Sequence, residues 1–146
     1  MNASIKEFVQ LKQLALLGAS RSGTKFGNMI ATELKQRGYQ VYLVHPEGIE
    51  IGGEMSYPNL AALQGKVQGV VICLPPAAAV SALRDAAVAG IKHVWLQQGA
   101  QSVETAAMAK ELGLDPVTGK CILMYAEPVT SFHAWHKGFA RLFGQY

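Results

Sequence analysis

The chain has 146 residues, half of them hydrophobic and 16% charged. That composition excludes disorder and predicts one domain over residues 1–146, burying about 68% of the surface its unfolded form exposes. The apolar runs are too short to cross a membrane, and Met1-Asn2-Ala3-Ser4-Ile5-Lys6-Glu7 lacks the apolar stretch of a secretory signal. Cys73 and Cys121, each inside an apolar run, make no disulfide framework, so a reducing cytoplasm is the expected compartment. The formal net charge of +3 is unevenly placed, with residues 1–46 carrying six Lys/Arg against two Glu. No basic helix or aromatic-basic motif accompanies that excess, so an anionic small molecule is the expected partner rather than nucleic acid.

Five apolar runs punctuate the chain: Leu14–Leu17, Val41–Val44, Val70–Leu74, Val94–Leu96 and Cys121–Met124. Bounded by Gly, Pro or polar residues, such runs read as strands buried on both faces. Helical spacing fills the gaps. Phe26, Met29, Ile30 and Leu34 define one helix, ended by Gly38. Val80, Leu83, Ala87 and Val88 mark a second, stopped by Gly90. Ser102 is placed to cap a third, with Val103, Ala106 and Ala107 on its inner face and Gly113 at its end. A small strand near Glu54 and a helical turn over Asn59 to Leu63 lie between the second and third runs. This alternation predicts an α/β fold with a mostly parallel, Rossmann-like doubly wound sheet and helices on both faces.

The first strand leads into Gly18-Ala19-Ser20-Arg21-Ser22-Gly23-Thr24-Lys25-Phe26-Gly27-Asn28. A glycine-containing loop between a buried strand and a helix start is a phosphate-binding geometry. Gly18 permits close backbone approach, Ser20 and Ser22 offer hydroxyls, and Arg21 and Lys25 neutralise phosphate charge. The spacing is neither G-x-G-x-x-G nor G-K-[ST]. The second strand ends Val44-His45-Pro46, where an NAD site usually carries Asp or Glu for the ribose hydroxyls.

Gly18-Ala19-Ser20, Lys25-Phe26-Gly27-Asn28, Gly38-Tyr39, His45-Pro46, Tyr57-Pro58-Asn59-Leu60, Pro75-Pro76 and Trp95-Leu96-Gln97-Gln98-Gly99 occur in that order. Together they resemble the small stand-alone CoA-binding proteins, whose domain is similar to the CoA-binding domain of the succinyl-CoA synthetase alpha subunit. The resemblance spans about residues 10 to 124. It implies a Rossmann-like fold that binds coenzyme A through its nucleotide end. By matching position, Gly18, Ala19 and Ser20 line the phosphate loop. Lys25, Phe26, Gly27 and Asn28 cover the adenosine and phosphates. His45 and Pro46, Pro75 and Pro76, and Gln98 and Gly99 stand at the following strand ends. His45 departs from the family's usual Asn.

Beyond Met124, Phe132, Trp135, Phe139, Leu142 and Phe143 form an apolar stripe, predicting an extra C-terminal helix over about 130–143 that packs on the sheet and contributes to a homodimer. His133 and His136 share its spacing but have no third ligand nearby in sequence, so no metal site is expected. The expected function is binding of CoA or acyl-CoA without turnover. The alternatives are a small NAD(P)-dependent oxidoreductase or redox sensor, and an interaction subunit.

Overall fold

The computed structural model describes residues 3–126. Four of the five apolar runs form strands of one parallel sheet: β1 (Gln13–Leu17), β2 (Gln40–Val44), β5 (Gly69–Ile72) and β6 (His93–Gln97), joined by β7 (Val117–Lys120). The strand order is β2-β1-β5-β6-β7, with every pairing parallel. The chain therefore starts at β1, steps outward to β2, and returns across β1 to build the other half. Outside β2, Tyr57 makes an isolated parallel bridge to Val44. Its N–H donates to the Leu43 carbonyl at 2.8 Å and its carbonyl accepts from His45 N–H at 2.9 Å. Counting that bridge as a rudimentary edge strand gives the spatial order 3-2-1-4-5-6 of doubly wound nucleotide-binding sheets. The excursion before it holds a two-residue hairpin, β3 (Glu50–Ile51) and β4 (Glu54–Met55).

Period-two alternation sends successive strand residues to two separate cores. Leu14, Leu16, Val71 and Trp95 join α1 (Ala3–Val9), α2 (Phe26–Gln36) and a 3-10 turn at Ile122–Met124 on one face. Ala15, Val70, Ile72, Val94 and Leu96 meet a 3-10 turn at Leu60–Leu63, α3 (Pro76–Val88) and α4 (Val103–Leu112) on the other. Phe8 packs edge-on against Trp95 with ring centroids 5.4 Å apart. The sequence reading holds no element before Leu14. Ile5, Phe8 and Val9 do carry helical spacing, but over only two turns.

Two expectations are corrected. The run Cys121–Met124 is not a strand: β7 lies just before it, and Ile122–Met124 turns as a 3-10 helix under α2. Buried strand and buried turn are equally apolar, so periodicity does not separate them in a four-residue run. The inner face of α4 is Thr105 and Ala109, while Val103 is 81% exposed and Ala106 and Ala107 face out. Ser102 does cap this helix, accepting from Thr105 N–H at 3.0 Å while Thr105 Oγ1 accepts from Ser102 N–H at 2.7 Å. That reciprocal box turns Thr105 inward and sets the helix rotation. The stripe Phe132, Trp135, Phe139, Leu142 and Phe143 lies outside the described residues.

The turn after β7 is held from α2. Arg37, 4% exposed, donates from Nη1 to the carbonyls of Leu123 at 2.8 Å and Ala126 at 3.3 Å. Its Nε lies 3.5 Å from Glu33 Oε2. Gln97 secures the same turn from the sheet, accepting from Ile122 N–H at 3.1 Å. Replacing Arg37 leaves the Glu33 carboxylate and two carbonyls without their cation, a loss of about 3 kcal/mol for a buried pair broken on one side. Arg37→Ala is expected to lower Tm by about 6–12 °C in a thermal melt. A loss under 2 °C would show that the turn holds without it.

Candidate functional site

Strand order reverses between β1 and β5, and a crevice opens there at the carboxyl ends of the parallel strands. Gly18 ends β1 with φ +114°, and a Cβ on it would lie 2.1 Å from the Cys73 carbonyl oxygen. Cys73 N–H donates to Leu17 O at 2.8 Å, which draws the two chains together. Only glycine fits: the backbone angle and the gap each exclude a side chain. On the other side, a Cβ on Gly27 would lie 2.6 Å from Gly18 O, so α2 begins against the loop's own backbone. Gly18 and Gly27 thus bring β1, β5 and the start of α2 into van der Waals contact.

The intervening loop is braced from within. Asn28 Oδ1 accepts from Ser20 N–H at 2.9 Å and its Nδ2 donates to Ser20 O at 3.1 Å. Gly23 N–H closes a turn onto the same carbonyl at 3.1 Å. Ser20, Ser22 and Thr24 hydroxyls link in series at 3.0 and 2.8 Å. The Ser20 and Gly23 amides are therefore used inside the loop rather than held out for a ligand. Lys25 is the N-cap of α2 and makes no side-chain capping bond.

A cleft of about 450 Å³ lies above these strand ends, within the range of small-molecule sites. Its apolar wall comes from Leu17, Val44, Leu60, Leu74, Ala78 and Ala82. Lys25, His45, Asn59, Ser81 and Asp85 supply its polar groups. Of the residues expected from sequence, the cleft brings together Gly18, Ala19, Lys25, His45 and Pro46. Ser20, Arg21, Ser22 and Phe26 sit on the loop and helix start beside it, with Phe26 42% exposed. Gly27 is buried behind the loop, and Asn28 serves as its brace. Pro75 and Pro76 open α3, Pro75 as N-cap, outside the cleft lining. Gln98 and Gly99 are exposed in the turn after β6, where Gly99 N–H donates to Gln101 Oε1 at 2.8 Å. The sequence reading omits the α3 wall, Ala78, Ser81 and Asp85. Their i, i+3, i+7 spacing marks a helix face, but nothing local says that it faces a cavity.

The two thiols lie near this end of the sheet and are kept protonated. Burial first, and the neighbouring Cys121 second, push the Cys73 thiol from 9.0 up to about 12. Cys121 is raised by burial, which outweighs the Gln97 side chain, Leu123 N–H and Arg37 charge that favour its thiolate. Among the described residues no cluster of His, Cys, Asp or Glu is arranged to hold a metal ion.

Two measurements check these placements. Gly27→Ala must push α2 off the loop, a loss of about 2 kcal/mol, or about 4–8 °C in Tm; an unchanged Tm would mean that the helix start shifts freely. The raised Cys73 pKa means that the folded chain keeps its proton while the unfolded chain loses it, so stability is full below about pH 9 and falls as pH rises from 9.0 toward about 12. Denaturation from pH 8 to 11 is expected to show a shallower loss in Cys73→Ala than in the natural chain, and equal slopes would contradict the shift.

Residues 12–127 match the CoA binding domain family. Among solved structures, the chain is similar to a conserved hypothetical protein from Pyrococcus furiosus at 33% identity and a TM-score of 0.72, covering 77% of this chain and 97% of that one. A hypothetical protein from Pyrococcus horikoshii OT3 matches at 30% identity and a TM-score of 0.73, over 82% of this chain and 84% of the other. The dinucleotide-forming acetyl-coenzyme A synthetase 1 of Ca. Korarchaeum cryptofilum, in complex with phosphate and ADP, matches at 25% identity and a TM-score of 0.62. There the likeness covers 72% of this chain and 25% of the synthetase. With the matched region spanning most of its length and the cleft standing at the sheet's reversal point, the chain belongs to the CoA binding domain family.

Proposed function

We propose that the cleft binds the nucleotide end of coenzyme A or an acyl-CoA, without turnover. The observation that carries this reading is the contact of Gly18 with Cys73 and of Gly27 with Gly18, which opens the cleft at the reversal of strand order with Lys25 at its mouth. The apolar wall of Leu60, Leu74, Ala78 and Ala82 suits a purine face. Lys25 and the start of α2 supply positive potential for phosphate, with Arg21 on the adjoining loop. The cleft volume fits a nucleoside and its phosphates, so the pantetheine arm would leave along the loop. Both thiols being held protonated by burial supports binding over thiol catalysis. The oxidoreductase reading with NAD draws no support from the end of β2, where His45 stands in place of a ribose-binding acid.

At ligand ten times its Kd, stabilisation is about 1.4 kcal/mol, so CoA is expected to raise Tm by about 3–6 °C while NAD leaves it unchanged. A shift with NAD and none with CoA would overturn the reading. A charge-assisted phosphate contact is worth about 1.5–3 kcal/mol, so Lys25→Ala should weaken CoA about ten- to a hundredfold in titration calorimetry. Its Tm without ligand should stay put, because Lys25 makes no capping bond.

A further inference from the structure

The residue at the end of β2 faces the ribose in doubly wound nucleotide-binding sheets. An acid there accepts from the ribose hydroxyls, and a cationic or donating side chain accommodates a ribose phosphate instead. In this chain the position is His45, half-buried in the cleft wall. Glu47 N–H donates to His45 Nδ1 at 3.1 Å. A ring nitrogen that accepts a hydrogen bond carries no proton, so the neutral ring must hold its hydrogen on Nε2. The Pro46 turn, by placing the Glu47 amide on Nδ1, thus leaves Nε2 as the donor of a ring that lines the cleft. Asn59, two residues past the Tyr57 bridge that flanks the end of β2, lines the same cleft. Its Oδ1 accepts from Ala62 N–H at 2.9 Å to cap the 3-10 turn, so its other end, Nδ2, is a donor. Lys25 adds a cation to the same cleft. The one carboxylate in the described lining, Asp85, stands on α3 among the apolar wall residues rather than at the end of β2.

We infer that His45, its tautomer set by the Glu47 amide, acts with Lys25 and Asn59 to select adenine nucleotides that carry a phosphate on the ribose and to discriminate against those with a free ribose diol. This inference rests on the nucleotide-binding reading above and names the group by which the site would tell its ligands apart. The required chemistry is a ribose monophosphate. Two sources supply it: the 3′-phosphate of CoA and the 2′-phosphate of NADP.

Titration calorimetry with two ligand pairs tests it, each pair differing only in the ribose phosphate: CoA with dephospho-CoA, and NADP with NAD. The natural chain is expected to bind the phosphorylated member of at least one pair about tenfold tighter or more. A preference confined to the CoA pair assigns the site to a 3′-phosphate, and one confined to the NADP pair to a 2′-phosphate. His45→Asp puts an anion where the donor stood and should abolish the preference, so that CoA binds no tighter than dephospho-CoA. His45→Gln retains a donor and should keep most of the preference. Equal binding of both members of each pair by the natural chain overturns this inference while the CoA-binding reading stands. Failure of CoA and dephospho-CoA alike to bind overturns that reading, and failure of all four ligands to bind overturns this inference with it. A preference that survives His45→Asp intact removes His45 from the role.

Discussion

Everything at the cleft end of this molecule depends on two close backbone contacts. Gly18 passes the Cys73 carbonyl with no room for a Cβ, and Gly27 passes Gly18 in the same way. If either position carried a side chain, β1 could not end against β5, or α2 could not start against the loop. The cleft exists because those three segments meet and then diverge. β1 turns back through α2 to one half of the sheet, and β5 leads through α3 to the other. Strand order reverses at that seam, and the cleft walls are the side chains left standing around it. Apolar burial supplies the stability of the sheet, but the position of the site is a matter of steric exclusion.

The loop itself shows how a segment beside the cleft is kept in place without being buried. Asn28 occupies both hydrogen-bonding groups of the Ser20 peptide, and three hydroxyls link along the exposed rim. These bonds are spent on shape. They leave Lys25, at the helix start, as the cleft's cation, with Arg21 outside it. A loop ordered before binding loses little conformational freedom when a ligand arrives, which favours affinity without enlarging the contact.

At the far side of the sheet a different solution closes the fold. Among the described residues no strand follows β7, so polar side chains take over from the ladder. Gln97 receives the Ile122 amide and Arg37 gathers the Leu123 and Ala126 carbonyls. Trp95 Nε1 donates to Lys120 O at 3.0 Å from the same region. Buried backbone groups must be satisfied, and here long side chains from β6 and α2 reach them. The same burial that seats this turn keeps the Cys121 thiol protonated.

Much of this was legible in the linear chain. Continuous apolar runs at Leu14, Val41, Val70 and Val94 read as strands covered on both sides, and the helices between them favour parallel pairing. Gly18, His45 and Pro46 were identifiable because they follow strands, where such sheets bind ligands, and Lys25 as a cation at the next helix start. Other features needed the third dimension. Cys121–Met124 reads as a strand because apolarity reports burial and not conformation, and Arg37 decides which it becomes from a distance of 86 residues in sequence. The Ala-rich α4 has no face until the Ser102–Thr105 box sets its rotation. Asn28 looks like a ligand contact until its two bonds to Ser20 appear. The α3 wall of the cleft is an ordinary helix stripe until β1 and β5 separate beneath it. Local chemistry determines which elements form and where their ends lie. Which side chains face one another across a gap depends on packing between residues far apart in the chain, and only the folded structure decides that.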